Sequence, residues 1–246
     1  MHSFFKEVTD IYDNNIIIND SDYHHIANVL RLKKNTNINI VIEEEVFLCN
    51  IKEINEDNIV CEILEKKSAV KEPEININLY QGLAKGNKMD LIVQKCTELG
   101  ISEIIPIVTN RVIVKIDKNK FKNRKERYER IALEAAKQSK RKNIPIISDL
   151  LDFKDINKEM LEDSINLIAY ENKEFESLKL KELLRDINHK NINIFIGPEG
   201  GWEDYEVDYL KSLGVYEISL GPRILRTETA PIMLTSILQY ELGDIG

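Results

Sequence analysis

The sequence predicts a chain in two parts: a β-rich N-terminal segment, then a mostly parallel α/β domain with helices on both faces. Three observations carry this reading. Residues 1–70 hold short β-branched runs separated by Asn/Asp/Glu turns. Beyond the polar, proline-bearing stretch Lys71-Glu72-Pro73-Glu74, strands alternate with amphipathic helices. Two turns, Gly197-Pro198-Glu199-Gly200-Gly201 and Leu220-Gly221-Pro222, each close an apolar strand. In such sheets the carboxyl ends of strands present backbone groups to a ligand, so one ligand held from both sides is expected.

The first part, placed at residues 1–72, contains four predicted strands, Ile16–Ile18, Ile38–Ile42, Val46–Ile51 and Ile59–Leu64. Ser21–Leu30 reads as a short helix with Ser21 or Asp22 as N-cap. The second part, 73–246, opens with a strand at Ile75–Leu83. In the helix Lys88–Leu99, residues Met89, Ile92, Val93, Cys96 and Leu99 share one face, and Gly100 is its C-cap. Glu103–Val108 is a strand and Asn123–Lys142 a long helix. Ile165–Tyr170 and Ile192–Ile196 are buried strands flanking a helix near Leu178–Asp186. Tyr205–Leu213 is a helix ended by Gly214, Val215–Leu220 a strand, and Ala230–Leu242 the last helix. Pro231 sits in its first turn, where a missing N–H does no harm.

At 246 residues, 43% hydrophobic and 31% charged, the composition is that of a globular protein. The apolar runs are too short to span a bilayer, and Met1-His2-Ser3-Phe4-Phe5-Lys6 lacks the apolar core of a signal peptide. A cytoplasmic protein with no membrane association is expected. Cys49, Cys61 and Cys96 have no metal-type spacing and read as reduced core residues. His2, His24, His25 and His189 include no spaced zinc pair, so no metal is expected. The abundant Asn, Ile and Lys residues read as coding bias without chemistry.

The net charge is −8, yet residues 111–142 carry 13 Lys and Arg against 4 Asp and Glu. That local +9 inside an acidic chain is a candidate footprint for a phosphate backbone, or a solvated helix face.

The Gly197–Gly201 turn lacks the Gly-Lys-Ser/Thr of a P-loop and is not G-x-G-x-x-G, so its spacing fits a tight turn as well as a site. Trp202 reads as an apolar cap on the following helix rather than a base-stacking platform. Arg223 and Arg226 suit a phosphate or an anionic base. The alternative is salt bridges to Glu228 and Glu199. Thr227 and Thr229 are candidate N-caps of the last helix. Lys85-Gly86-Asn87-Lys88-Met89-Asp90 leads a strand into a helix, where lysines meet phosphate or simply solvate a turn. Glu98 is expected to face solvent. Arg31 is a candidate RNA contact or a helix end.

Taken together these motifs resemble the RsmE family, bacterial methyltransferases acting on N3 of one uracil in 16S ribosomal RNA. The matching residues are His25…Asn28-Val29-Leu30-Arg31, Lys85-Gly86…Lys88-Met89-Asp90 and Gln94-Lys95…Thr97-Glu98-Leu99-Gly100. They continue with Glu134-Ala135-Ala136…Gln138-Ser139, Ile196–Gly201 and Leu220–Ala230. The last two segments are the most specific. The resemblance spans nearly the whole chain. It implies a PUA-like β-barrel followed by a SPOUT-class α/β domain whose C-terminal segment forms a trefoil knot. It also implies a homodimer, 16S ribosomal RNA in the small subunit as partner, and S-adenosylmethionine as methyl donor. Uridine 1498 is the implied target.

Carried over residue by residue, the cofactor is expected on Ile196, Gly197, Glu199, Gly200 and Gly201 of one turn. From the other loop it is expected on Leu220, Gly221, Ile224, Leu225, Arg226, Thr227, Thr229 and Ala230. Arg31, Lys85, Lys88, Arg111, Arg124, Lys125 and Arg127 are the expected RNA contacts, and Arg226 and Glu199 the expected catalytic residues. Two departures stand out: Glu203-Asp204 where relatives often carry Ser-Pro, and Pro231 where alanine is frequent.

Methyl transfer from a sulfonium is an in-line displacement whose main demand is positioning. The uracil N3 proton has a pKa roughly two units above neutrality, so ionising it at pH 7 costs about 3 kcal/mol. A cation (Arg226, with Arg223) holding the uracil anion answers this, as does a base (Glu199 or Glu228) removing the proton. N3 lies on the Watson–Crick edge, so the base must be unpaired or flipped. The competing expectations are a SPOUT enzyme acting on another RNA and a non-catalytic RNA-binding protein.

Overall fold

The computed structural model describes residues 2–43, 45–67, 75–113, 118–170, 180–185 and 190–245. The expected hinge Lys71–Glu74, both ends of the predicted helix Leu178–Asp186, and His189 lie outside them. Packing divides the chain into two compact units, Met1–Lys71 with Ala136–Asn143, and Glu72–Ala135 with Ile144–Gly246.

The first unit is a curled six-stranded sheet built from β1 (Ser3–Phe5), β2 (Ile11–Tyr12), β3 (Asn15–Ile18), β4 (Asn37–Ile42), β5 (Glu45–Ile54) and β6 (Ile59–Lys67), in the order β1-β4-β5-β6-β3-β2. β1 and β4 pair in parallel and the other pairs are antiparallel. Alternate isoleucines, among them Ile16, Ile18, Ile38, Ile40 and Ile51, fill the core with Phe4 and Cys49. All four predicted strands are present. β1 and β2 carry too few residues to show a period. The helix α1 (Asp20–His24) starts earlier than expected and continues as a π-helical turn, His25–Val29. Ser21 and Asp22 therefore lie inside it and are not its caps. The Asp22 carboxylate instead takes Lys137 at 2.9 Å and Lys6 at 3.7 Å.

The second unit holds β7 (Asn76–Gly82), β8 (Glu103–Val108), β9 (Ile146–Ile147), β10 (Leu151–Asp152), β11 (Ser164–Ala169), β12 (Asn191–Ile196) and β13 (Tyr216–Ile218). They form one parallel sheet in the order β10-β8-β7-β12-β11-β13, with β9 beside β8. Because side chains alternate across a strand, neighbouring residues enter different cores. Leu79, Ile104 and Ile194 pack on one face with α2 (Lys88–Glu98), α3 (Lys118–Ser139), α4 (Leu180–Arg185) and α6 (Thr229–Leu242). Tyr80, Ile105 and Phe195 pack on the other with α5 (Asp204–Ser212). The two central strands meet through stacked Tyr80 and Phe195 rings, 4.4 Å apart. Helices on both faces are as predicted. α3 begins and ends earlier than its sequence pattern indicated, and β9 and β10 are two-residue strands that no pattern marks.

Asparagine is not idle here. Asn78 donates to Asn193 at 3.0 Å, and Asn193 to Asn166 at 2.8 Å. Asn166 reaches the Leu161 carbonyl at 3.0 Å. Asn193 is 1% exposed. These amides bridge β7, β12 and β11 in register, so slipping a strand would strand a buried polar group. The cysteines are buried, and burial pushes each thiol up to about 12, leaving them unreactive.

Candidate active site

The carboxyl ends of β8, β11 and β12 open onto a cavity of about 550 Å³. Its walls are the turn after β12, the loop before α6, Ala169 at the end of β11 with Tyr170 after it, and Arg111 after β8. Of the expected cofactor residues, Ile196, Gly197, Glu199 and Gly201 line it from one side. Ile224, Leu225, Arg226, Thr227 and Ala230 line it from the other. Gly200, Leu220, Gly221 and Thr229 stand outside the lining. Ala169, Tyr170 and Lys88 join it from elements that the sequence motifs did not connect to the cofactor.

A buried hydrogen-bond chain ties the two loops together. The Thr227 hydroxyl donates to the Gly197 carbonyl at 2.6 Å, and Gln81 Nε2 donates to Thr227 Oγ1 at 3.0 Å. Gln81 is fully buried at the end of β7. Neither threonine caps α6: its N-cap is Glu228, with no side-chain cap bond. Thr227 is a clip between loops instead. Nothing local marks Gln81 for this role: it follows Leu79 and Tyr80 in a strand that also carries Asn76 and Asn78.

Charge gathers at one edge. Lys88 Nζ sits 3.0 Å from Glu199 Oε1 and 3.6 Å from Glu228 Oε2. Glu199 also accepts the Lys85 backbone N–H at 2.9 Å. Burial acts to raise the Glu199 carboxyl, but the Lys85 N–H, its own N–H and Lys88 outweigh it and hold it below the usual glutamate range. A lowered pKa makes Glu199 a weaker base. Lys88 is correspondingly raised, chiefly by its hydrogen bond to Glu199. Arg226 is 82% exposed along its side chain and only 4.0 Å from Glu228, too loose for a strong pair. Arg223 is exposed. The Tyr170 hydroxyl donates to Asp204 at 2.7 Å, and that bond, with burial, pushes it up to about 12.

Gly197 and Gly200 serve close protein packing. A Cβ on Gly200 would stand 2.9 Å from Arg111 Cβ, and one on Gly197 3.1 Å from Trp202 Nε1. Trp202 is 3% exposed and packs against Phe153, as an apolar cap should. Arg111 donates to the Gly200 carbonyl at 3.1 Å and to Glu203 at 2.9 Å. Glu203 in turn forms a capping box with Glu206, which serves where Ser-Pro is absent.

The expected RNA contacts are scattered and partly occupied. Arg31 is exposed in the first unit, at positive φ where the chain leaves its helix. Lys85 is exposed. On α3, Lys125 pairs with Asp149 at 2.8 Å and Arg127 with Asp90. Arg124 is half-buried beside Tyr128. Glu98 is partly covered and held by Lys95 at 2.9 Å rather than fully solvated. Among the described residues no cluster of His, Cys, Asp or Glu is arranged to hold a metal.

Residues 71–239 match the RNA methyltransferase domain model, and residues 18–64 the RNA methyltransferase PUA domain model. The ribosomal RNA small subunit methyltransferase E of Bacillus subtilis is 34% identical over 91% of this chain and 89% of its own length. The protein of the same name from Aquifex aeolicus is 31% identical over 97% of this chain and 99% of its own. A crystal structure of that methyltransferase from Neisseria gonorrhoeae, bound to S-adenosyl methionine, superposes with a TM-score of 0.86 at 29% identity, covering 100% of both chains. The shared fold, the domain match and these relatives together place the chain in the ribosomal RNA small subunit methyltransferase E family.

Proposed function

We propose that the protein transfers a methyl group from S-adenosylmethionine to N3 of uridine 1498 in 16S ribosomal RNA. The observation that carries this is the pairing of a cofactor-sized cavity with an uncommitted arginine, Arg226, at its edge. The cavity suits the cofactor. Its volume lies within the usual range for small-molecule sites. Ile196, Ile224, Leu225 and Ala230 offer apolar contact for a flat base, and the turn offers backbone polar groups. Trp202 Nε1, in the cavity lining, is buried without a hydrogen-bond partner, as expected where a polar ligand completes the wall.

When bound, S-adenosylmethionine supplies the electrophilic methyl group. The residues here supply position and charge. The Thr227–Gly197 clip fixes the two loops in one geometry. Lys88, held by Glu199 and Glu228, fixes the start of α2 beside them. Arg226 receives the uracil as its N3 anion through a planar, permanent cation. Glu199 acts by positioning Lys88, its proton affinity being too low for a base. Arg31 in the first unit and the exposed lysines and arginines of α3 hold the RNA backbone.

The same reading includes the C-terminal knot and a homodimer through the second unit. In α6, Leu234 and Leu238 are buried in the protomer, while Ile232, Met233 and Ile237 stay half-buried, which leaves apolar surface for a partner copy. A monomeric mass by light scattering with full activity would remove the dimer from this account. The function itself is tested by mass spectrometry of ribosomal RNA from a strain lacking the gene. The methyl mark should vanish at that uridine, return with the parent gene, and stay absent with Arg226→Ala. If instead the protein binds RNA but calorimetry detects no S-adenosylmethionine binding, it is an RNA-binding protein without catalysis.

A further inference from the structure

We propose that a second pocket, of about 480 Å³, receives an unpaired RNA base neighbouring the methylated one. This rests on the RNA-methylating function above. The pocket lies at the carboxyl ends of β8 and β10 and under α5. It is distinct from the cofactor cavity, with no lining residue in common.

Its walls are aromatic and rigid. Phe153 meets Tyr209 edge-to-face at 5.7 Å, and the Tyr209 hydroxyl donates to the Ile156 carbonyl at 2.7 Å. Tyr205, one helical turn from Tyr209, is 59% exposed and offers a ring face to solvent, which is what an unstacked base requires. The polar groups are few. Glu206 is fully engaged: one carboxylate oxygen accepts the Asn110 N–H at 2.8 Å, the other the Glu203 N–H at 2.9 Å. Thr109 differs. It is 4% exposed and its hydroxyl has no hydrogen-bond partner. Such a group is costly to leave unsatisfied, and Thr109 is one of the residues around the pocket. Asp152 beside it accepts hydrogen bonds, as the exocyclic amine of a base supplies them. Lys154, exposed at the rim, offers a cation to the phosphate.

The placement also fits. Asn110 lines this pocket and Arg111 lines the cofactor cavity. Both reach Glu203, at 3.2 and 2.9 Å. Consecutive residues stand about 3.8 Å apart at Cα, so the two pockets adjoin. A strand that delivers a uridine to Arg226 can lay its neighbour against Tyr205.

The test compares the full-length parent with Tyr205→Ala, Tyr205→Phe and Thr109→Val on small ribosomal subunits from a strain lacking the gene. Steady-state methyl transfer, calorimetry with S-adenosylmethionine, thermal melting and ultraviolet crosslinking are measured. Tyr205→Ala should raise KM for the subunit about tenfold or more, the range of one base stack removed. Its kcat, cofactor affinity and melting temperature should match the parent. Tyr205→Phe keeps the ring and should match the parent throughout. Thr109→Val should raise KM without lowering the melting temperature, and the crosslinked peptide should contain Tyr205 or Phe153. An unchanged KM in Tyr205→Ala, equal losses in the alanine and phenylalanine variants, or a crosslink confined to other peptides overturns the proposal. If the parent itself transfers no methyl group to the subunit, the function above fails first.

Discussion

Thr227 Oγ1 lies 2.6 Å from the carbonyl oxygen of Gly197 and clips together two loops separated by 30 residues of chain. The same oxygen accepts Gln81 Nε2 at the end of a third strand. One hydroxyl thus sets the spacing of the cavity walls. Thr227→Val keeps the shape but leaves the Gly197 carbonyl without its donor and the Gln81 amide with only the Gly82 carbonyl, at a cost of about 1–3 kcal/mol. Denaturant unfolding should show that loss, and calorimetry a weaker cofactor; Thr227→Ser should restore both.

Arg226 should behave differently, because it is exposed and nearly unpaired. Arg226→Ala should lower kcat on the order of a hundredfold or more. Arg226→Lys should also lower it, since charge without the planar fork is a poorer match. Cofactor affinity and melting temperature should stay near the parent. If both fall while single-turnover methylation at saturating cofactor stays normal, Arg226 is a strut for the loop.

Glycine at position 82 is required by packing. A Cβ there would stand 2.5 Å from the backbone nitrogen of Pro198. Gly82→Ala must push the Gly197–Gly201 turn away from β7, costing about 1–3 kcal/mol as overpacking does. At Gly200 the clash is with Arg111 Cβ, 2.9 Å from the added atom, so Gly200→Val should weaken cofactor binding and Arg111→Gly, which removes that Cβ, should partly relieve it. Independent, additive losses in the double variant would contradict that coupling.

The Lys88–Glu199 contact has a defined pH window. Glu199 is lowered, so its contribution is present above the ordinary glutamate pKa and lost as pH falls through the lowered value. Lys88 is raised, so its contribution is full below the ordinary lysine pKa and lost as pH rises through the raised value. Cofactor affinity governed by this contact should be flat between about pH 5 and 10 and fall outside it. In Glu199→Gln the acid limb should disappear; an acid limb of unchanged position assigns it to another group.

Charge on α3 should show in salt dependence. Removing one cation that neutralises a phosphate reduces the slope of log affinity against log salt by about one. Replacing Arg124, Lys125 and Arg127 together by alanine should flatten the slope with cofactor binding intact. Because Lys125 and Arg127 are already paired with Asp149 and Asp90, the change should fall short of three. An unchanged slope places the RNA on other residues.

Much of this protein was legible in its sequence. Ile165–Tyr170 and Ile192–Ile196 read as buried strands, and Ile75–Leu83 as a strand, because short apolar-rich runs alternate there with helical patterns. Lys88–Leu99 read as a helix because its apolar residues recur on one face. The two ligand loops stood out because glycine, proline and paired arginines rarely gather at strand ends without a reason. What stayed hidden is what depends on distance through space. β9 and β10, two residues each, exist only because β8 is there to pair with them. The Asn78–Asn193–Asn166 bridge looked like compositional bias until the sheet brought Asn78 and Asn193, 115 positions apart, and Asn166 into register. Thr227 looked like a helix cap, since the local alternative is all a sequence displays, and only folding brought the Gly197 carbonyl within 2.6 Å of its hydroxyl. Local propensity and periodicity fixed the elements; hydrogen bonds between distant loops, available only once the sheet order is set, decided the shape of the site.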